Sequence, residues 1–175
     1  MHRTLPYTLL FLLLALLQIF LFNNLSVSAY FCPLVYLTFL LLLPLETPAI
    51  ALLGLGLLTG VTMDYTMGVA GINTITTLAV AFFRHNLITL LSSREDLRDE
   101  GVPSPERMGK QLFWSYVVVV ILLHHTLFFL LEALSWQHLW RTVLRILLSS
   151  AGTLLIVALT ERLFTTKLAS QSKRL

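Results

Sequence analysis

With 175 residues, 57% of them hydrophobic and 12% charged, and a mean hydropathy of +0.82, the composition excludes an ordinary soluble domain, in which about 25% of residues are charged. The length leaves room for one small membrane bundle and no second domain. A net charge of +3 and a pI near 9.3 fit cations placed beside a bilayer rather than nucleic-acid binding, and the lone cysteine, Cys32, excludes a disulfide framework and a Cys-x-x-Cys metal site and reads as plain packing.

The first apolar run covers residues 5–22, close to the ~20 needed to span a bilayer. Val27-Ser28-Ala29 could pass for a signal-peptidase site. The run exceeds the ~7–15 residue core of a signal peptide, however, and the next stretch is apolar too, so an uncleaved helix is expected. After a short polar loop over residues 23–28, a second span is expected over residues 30–45, bracketed by Pro33 and Pro44. Pro44-Leu45-Glu46-Thr47-Pro48 reads as a tight turn, with Thr47 as N-cap and Pro48 as the first position of a third helix over 48–63.

That third helix carries small residues and an acid. Gly56, Gly60, Asp64 and Gly68 are four apart and stack near one face, drifting about 40° per step. Gly56-xxx-Gly60 is the small-xxx-small pattern that lets two helix backbones approach in lipid. Asp64 at membrane depth costs about 2.5–3.5 kcal/mol on insertion scales, so it is expected to face protein or water. Gly68 and Gly71 supply permissive dihedrals for a tight re-entry that ends at Asn73. The fourth span is expected over 72–91, with Asn73, Thr77 and Arg84 on one face; Arg84 either snorkels to the inner headgroups or lines the bundle.

Residues 92–110 form the one extended hydrophilic segment, with both charge signs interleaved from Arg94 to Glu100. A solvated cytoplasmic connector is expected, and a docking site for a cytoplasmic partner is the sharper alternative. Ser104-Pro105 reads as the start of the fifth span, over 112–131, with Trp114 and Tyr116 near its interface. Trp136 and Trp140, four apart, suggest a short helix lying in the aromatic belt before the sixth span over 143–159. Arg141 and Arg145 fall on one side of this layout and the other ten of twelve cations on the opposite side. The positive-inside rule then places both termini in the cytoplasm.

Little here carries chemistry. His124 and His125 are adjacent and so point about 100° apart on a helix, with no further ligand at metal spacing. No nucleophile elbow, P-loop or Rossmann turn is present, and neither an enzyme nor a cofactor is expected. For Asp64 the leading expectation is an acid at the outer helix end, bonded to Thr62, Tyr65 or Asn73. Partner contact, and a proton or ion relay, are the alternatives, and no second membrane acid stands ready for a relay.

The glycine-rich helix from Gly54, ending in Asp64 and followed by Gly68-Val69-Ala70-Gly71-Ile72-Asn73 at the next helix, resembles the MreD family of rod shape-determining proteins. The motif match covers residues 54–73, and the hydropathy layout agrees over the whole chain. The resemblance implies an all-α, six-transmembrane-helix bundle in the bacterial inner membrane, acting as a non-catalytic scaffold of the cell-elongation complex that supports peptidoglycan synthesis. The implied partners are the bitopic MreC and, indirectly, MreB filaments, RodA and a penicillin-binding protein. On that reading, Gly56, Gly60 and Asp64 offer a docking face within the membrane, and 94–100 one in the cytoplasm. The bundle is also similar to the substrate-binding subunits of energy-coupling-factor transporters, which makes a vitamin-like carrier the runner-up. Those subunits carry Ala-x-x-x-Ala on helix one, where this chain has Ala15 with Ile19 four residues on, and the first outer loop is short for a substrate lid.

Overall fold

A computed structural model describes residues 5–24, 30–91, 101–134 and 139–172, with side chains through residue 163. Every regular element among them is helical: α1 (Leu5–Leu16), α2 (Leu37–Leu41), α3 (Ala49–Met67), α4 (Ile72–Leu91), α5 (Pro105–Met108), α6 (Lys110–Ala133) and α7 (Leu139–Ser172). Five stretches are long and apolar enough to cross a membrane: Leu5–Asn24, Ala49–Met67, Ile72–Leu91, Lys110–Ala133 and Leu139–Leu163. Each leaves more than half of its apolar window uncovered by protein. These are the sides that meet lipid in a multi-pass membrane protein.

The second span expected over 30–45 is corrected: it is not a spanning helix. Only Leu37–Leu41 is α-helical, and the chain from Tyr30 to Tyr36 runs as turns and irregular backbone. Pro33 and Pro44 explain the break, because proline lacks an N–H and pushes the residue before it out of the helical region. The broken segment is nonetheless the centre of the fold. Every residue from Leu34 to Leu43 is 3% exposed or less. Irregular backbone survives at membrane depth only where protein satisfies it, and three side chains do so here. The N–H of Cys32 donates to Ser149 Oγ (2.9 Å), that of Leu34 to Thr153 Oγ1 (3.0 Å) and that of Val35 to Gln18 Oε1 (2.7 Å). Gly152, between the two α7 hydroxyls, lets Phe31 lie against bare backbone; a Cβ there would sit 2.7 Å from the Phe31 ring.

Gln18 reaches inward because α1 widens into a π turn over Leu17–Leu21, followed by a 3-10 turn over Phe22–Asn24. Its Nε2 donates to Asn23 Oδ1 at 2.8 Å, so a fully buried amide is held at both ends. The third span extends to Met67, beyond the expected 63, because Gly68 (φ 66°, ψ 30°) closes it in the left-handed region. Thr47 does not cap α3; its hydroxyl donates to Pro44 O at 2.8 Å. Ser104 and Pro105 open the separate one-turn helix α5 rather than the fifth span, since Gly109 (φ 79°) breaks the chain before Lys110. Trp140 and Arg141 belong to the first turn of α7, so they do not form a separate interfacial helix. Trp136 and His138 lie outside the described residues.

Candidate functional site

The motif stretch, residues 54–73, folds into the joint between α3 and α4. Gly56 and Gly60 face α4 of the same chain. A Cβ on Gly56 would lie 3.1 Å from Ala81 Cβ and 3.3 Å from Thr77 O, and one on Gly60 would strike the backbone of Thr74 and the Thr77 hydroxyl. Thr77 Oγ1 lies 2.9 Å from Gly56 O across the helix pair and 2.8 Å from Asn73 O within its own helix, so its one proton is shared. This face was expected to serve helix packing or partner docking; Gly56 and Gly60 pack against α4 of the same chain.

Asp64 sits at the end of α3 and caps α4. Its Oδ1 accepts the backbone N–H of Asn73 (2.9 Å) and Asn73 Nδ2 (3.0 Å). Its Oδ2 accepts the backbone N–H of Thr74 (2.9 Å) and the Thr74 hydroxyl (2.5 Å). The first N–H groups of a helix have no intrahelical acceptor, and a carboxylate there also complements the helix dipole. A carboxylate offers about four lone-pair sites, and these four bonds fill them. Thr62 turns instead to Leu58 O (2.7 Å), and Tyr65 is 89% exposed. Gly68 and Gly71, both at positive φ and with open space where a Cβ would stand, serve the turn through backbone freedom rather than close packing.

A directed chain of hydrogen bonds leads inward from this cap. Asp64 draws the Asn73 amide nitrogen toward itself, so Asn73 Oδ1 faces the broken segment and accepts the Tyr36 hydroxyl at 2.6 Å. Tyr36 has only one proton to give. Its oxygen therefore accepts from His124 Nε2 at 3.3 Å, which assigns the His124 proton to Nε2. His125 turns the other way: Nδ1 donates to Ile121 O (2.9 Å), and Nε2 accepts from Thr153, whose oxygen in turn accepts Leu34 N–H. The two imidazoles thus serve different partners, and among the described residues no group of three or more His, Cys, Asp or Glu could hold a metal ion.

Arg84 does not snorkel; it is 2% exposed and lines the bundle. Nε donates to Tyr116 Oη (2.9 Å), Nη1 to Pro44 O (3.2 Å) and Nη2 to Leu43 O. Tyr116 is thereby corrected from an interfacial aromatic to a fully buried one that also reaches Leu41 O (3.3 Å). Arg84 and Tyr116 gather the last carbonyls of the broken segment, which lie at or past the end of α2 and have no intrahelical donor. Beside Arg84 a cleft of about 560 Å³ opens between α3, α4 and the turn at Leu45–Thr47, while an apolar cleft of about 330 Å³ lies between α1, α2 and α3.

Sequence reasoning missed Gln18, Tyr36, Ser149, Gly152 and Thr153. The signal was present: Ser149, Gly152 and Thr153 stand at i, i+3 and i+4 and form a small polar stripe on one helix face. The expected cytoplasmic docking residues from Arg94 to Glu100 lie outside the described residues. The chain matches no known family model, no characterised protein and no solved structure.

Proposed function

We propose that this chain is a non-catalytic scaffold of the bacterial rod-shape machinery, an MreD-like protein of the inner membrane that holds an MreC-like bitopic protein. The observation that supports this best is the use made of the motif stretch. Gly56, Gly60, Asp64, Gly68, Gly71 and Asn73 are all spent on one stiff α3–α4 joint. Asp64 has its acceptor sites filled by the cap, which favours a structural acid over a relay. With the glycine face covered, the partner helix must meet the outward sides of the bundle, where close packing and a few polar bonds supply specificity.

The topology belongs to the same reading. Tyr36 meets Asn73 beside the α3–α4 turn, and Leu43 and Pro44 meet Arg84 three turns further along α4. In this reading the broken segment serves as a sixth crossing beside the five apolar helices, and both termini lie in the cytoplasm, which the cation distribution supports. A cysteine-accessibility probe at Val69 should react from outside and one at Gly101 only from inside; the reverse would overturn the assignment.

The functional test is depletion of the protein while cell width and vitamin uptake are followed together, with affinity purification to detect an MreC-like partner. Loss of rod shape with intact uptake supports the scaffold. Normal width with impaired uptake promotes the second reading, a carrier's substrate-binding subunit, which the two clefts favour.

A further inference from the structure

At one end the bundle buries Arg84, which is 2% exposed and has no acid paired with it among the described residues. Arg84 makes three hydrogen bonds, all to neutral oxygens: the Tyr116 hydroxyl and the carbonyls of Leu43 and Pro44. The guanidinium has five N–H donors, and among the described residues it has no ion pair. Taking an unpaired charge out of water is costly, and the cost falls when an anion joins it.

The adjoining cleft has the shape and chemistry to bring one. Its volume of about 560 Å³ lies within the range of ligand sites, roughly 300–1,000 Å³. Its walls are apolar, from Ala49, Leu52 and Leu53 on α3 and Ala81 and Ile88 on α4, and Arg84 stands among them. Exposed His85 and Asn86 at the edge add polar groups suited to a headgroup. Glu46, the one acid in the lining among the described residues, accepts the backbone N–H of Gly101 at 2.6 Å. An apolar trough with a cation and polar groups along its edge matches an amphiphile with an anionic head.

We infer that the cleft between α3 and α4 binds the phosphate headgroup of an anionic membrane phospholipid, with the first part of an acyl chain along Leu52, Leu53 and Ile88. On the proposed topology the cleft opens toward the cytoplasmic leaflet, where anionic lipids and basic pockets between helices meet. The lipid would brace the turn from Pro44 to Thr47 against α4 and so stabilise the carbonyl end of the broken segment.

The test is native mass spectrometry of the intact protein released from detergent after titration with phosphatidylglycerol, phosphatidylethanolamine or inorganic phosphate. Phosphatidylglycerol should be retained about tenfold more than phosphatidylethanolamine, a margin worth about 1.4 kcal/mol, and millimolar phosphate should not displace it. Two variants leave the Arg84 contacts in place. Ala49→Trp fills the cleft, and His85→Glu sets a like charge at its edge; each should remove the preference. Equal retention of the two lipids by the parent protein overturns the proposal whether or not the variants fold. So does unchanged selectivity in both variants. Displacement of the lipid by phosphate assigns the site to a free anion and overturns the lipid reading.

Discussion

Asp64 Oδ2 accepts both the backbone N–H and the hydroxyl of Thr74, ten residues further along the chain. One carboxylate thus ends one helix and begins the next. Asp64→Leu strands the N–H groups of Asn73 and Thr74 at about 1–3 kcal/mol each. Asp64→Asn keeps one acceptor oxygen and should lose less, about 1 kcal/mol, in the range of an exchanged cap. Thermal unfolding in detergent should rank the proteins parent, Asn, Leu. If the proposed scaffold role holds, the Asn variant should retain shape control; its loss with the fold intact would mean that ionisation matters in its own right.

Gly54 and Gly60 make a matched pair on the same helix. A methyl at Gly60 strikes the α4 backbone, and Gly60→Ala should cost about 1–3 kcal/mol through forced separation of the helices. A methyl at Gly54 meets nothing within 4 Å, so Gly54→Ala should be neutral or stabilise α3 by up to about 1 kcal/mol. Melting both variants side by side checks the packing direction: equal effects would mean that α3 is rotated from the position described.

The broken segment depends on borrowed acceptors. Gln18→Leu leaves the fully buried Val35 N–H without its partner, and Thr153→Val does the same to Leu34 and also frees His125 Nε2. Each should lower stability by about 1–3 kcal/mol. Amide hydrogen exchange is the sharper readout, with protection lost first at Leu34 and Val35 while α3 and α4 keep theirs.

At the other end, Tyr116→Phe removes one acceptor from Arg84 and one donor to Leu41 O, at a cost of about 1–3 kcal/mol. Arg84→Lys keeps the charge but not the planar fork that reaches Leu43, Pro44 and Tyr116 together, so lysine should not rescue the parent melting temperature. Full rescue by lysine would reduce the role of Arg84 to charge alone.

The long helices were legible because an apolar stretch of about 20 residues has few alternatives in a bilayer. The fourth span, residues 72–91, coincides with α4. The polar ends of other spans were harder to bound. Gly68 lengthens α3 through a left-handed cap, and Gly109 detaches α5 from α6, both through backbone conformations that hydropathy does not register.

Hydropathy along the chain determined that this is a helical membrane protein and that Asp64 needed protein or water, and the four-residue spacing determined that Gly56 and Gly60 lay on a close-packed face. Only the tertiary structure decided which surface fills that face, since a small-residue stripe accepts any helix that fits and α4 is tethered beside it. It also decided that residues 30–45 form a broken core segment rather than a helix. That outcome rests on Gln18, Ser149 and Thr153, far apart in sequence, arriving where Cys32, Leu34 and Val35 present their unpaired N–H groups. A backbone donor in lipid must find an acceptor, but the chain's order does not say from which helix it will come.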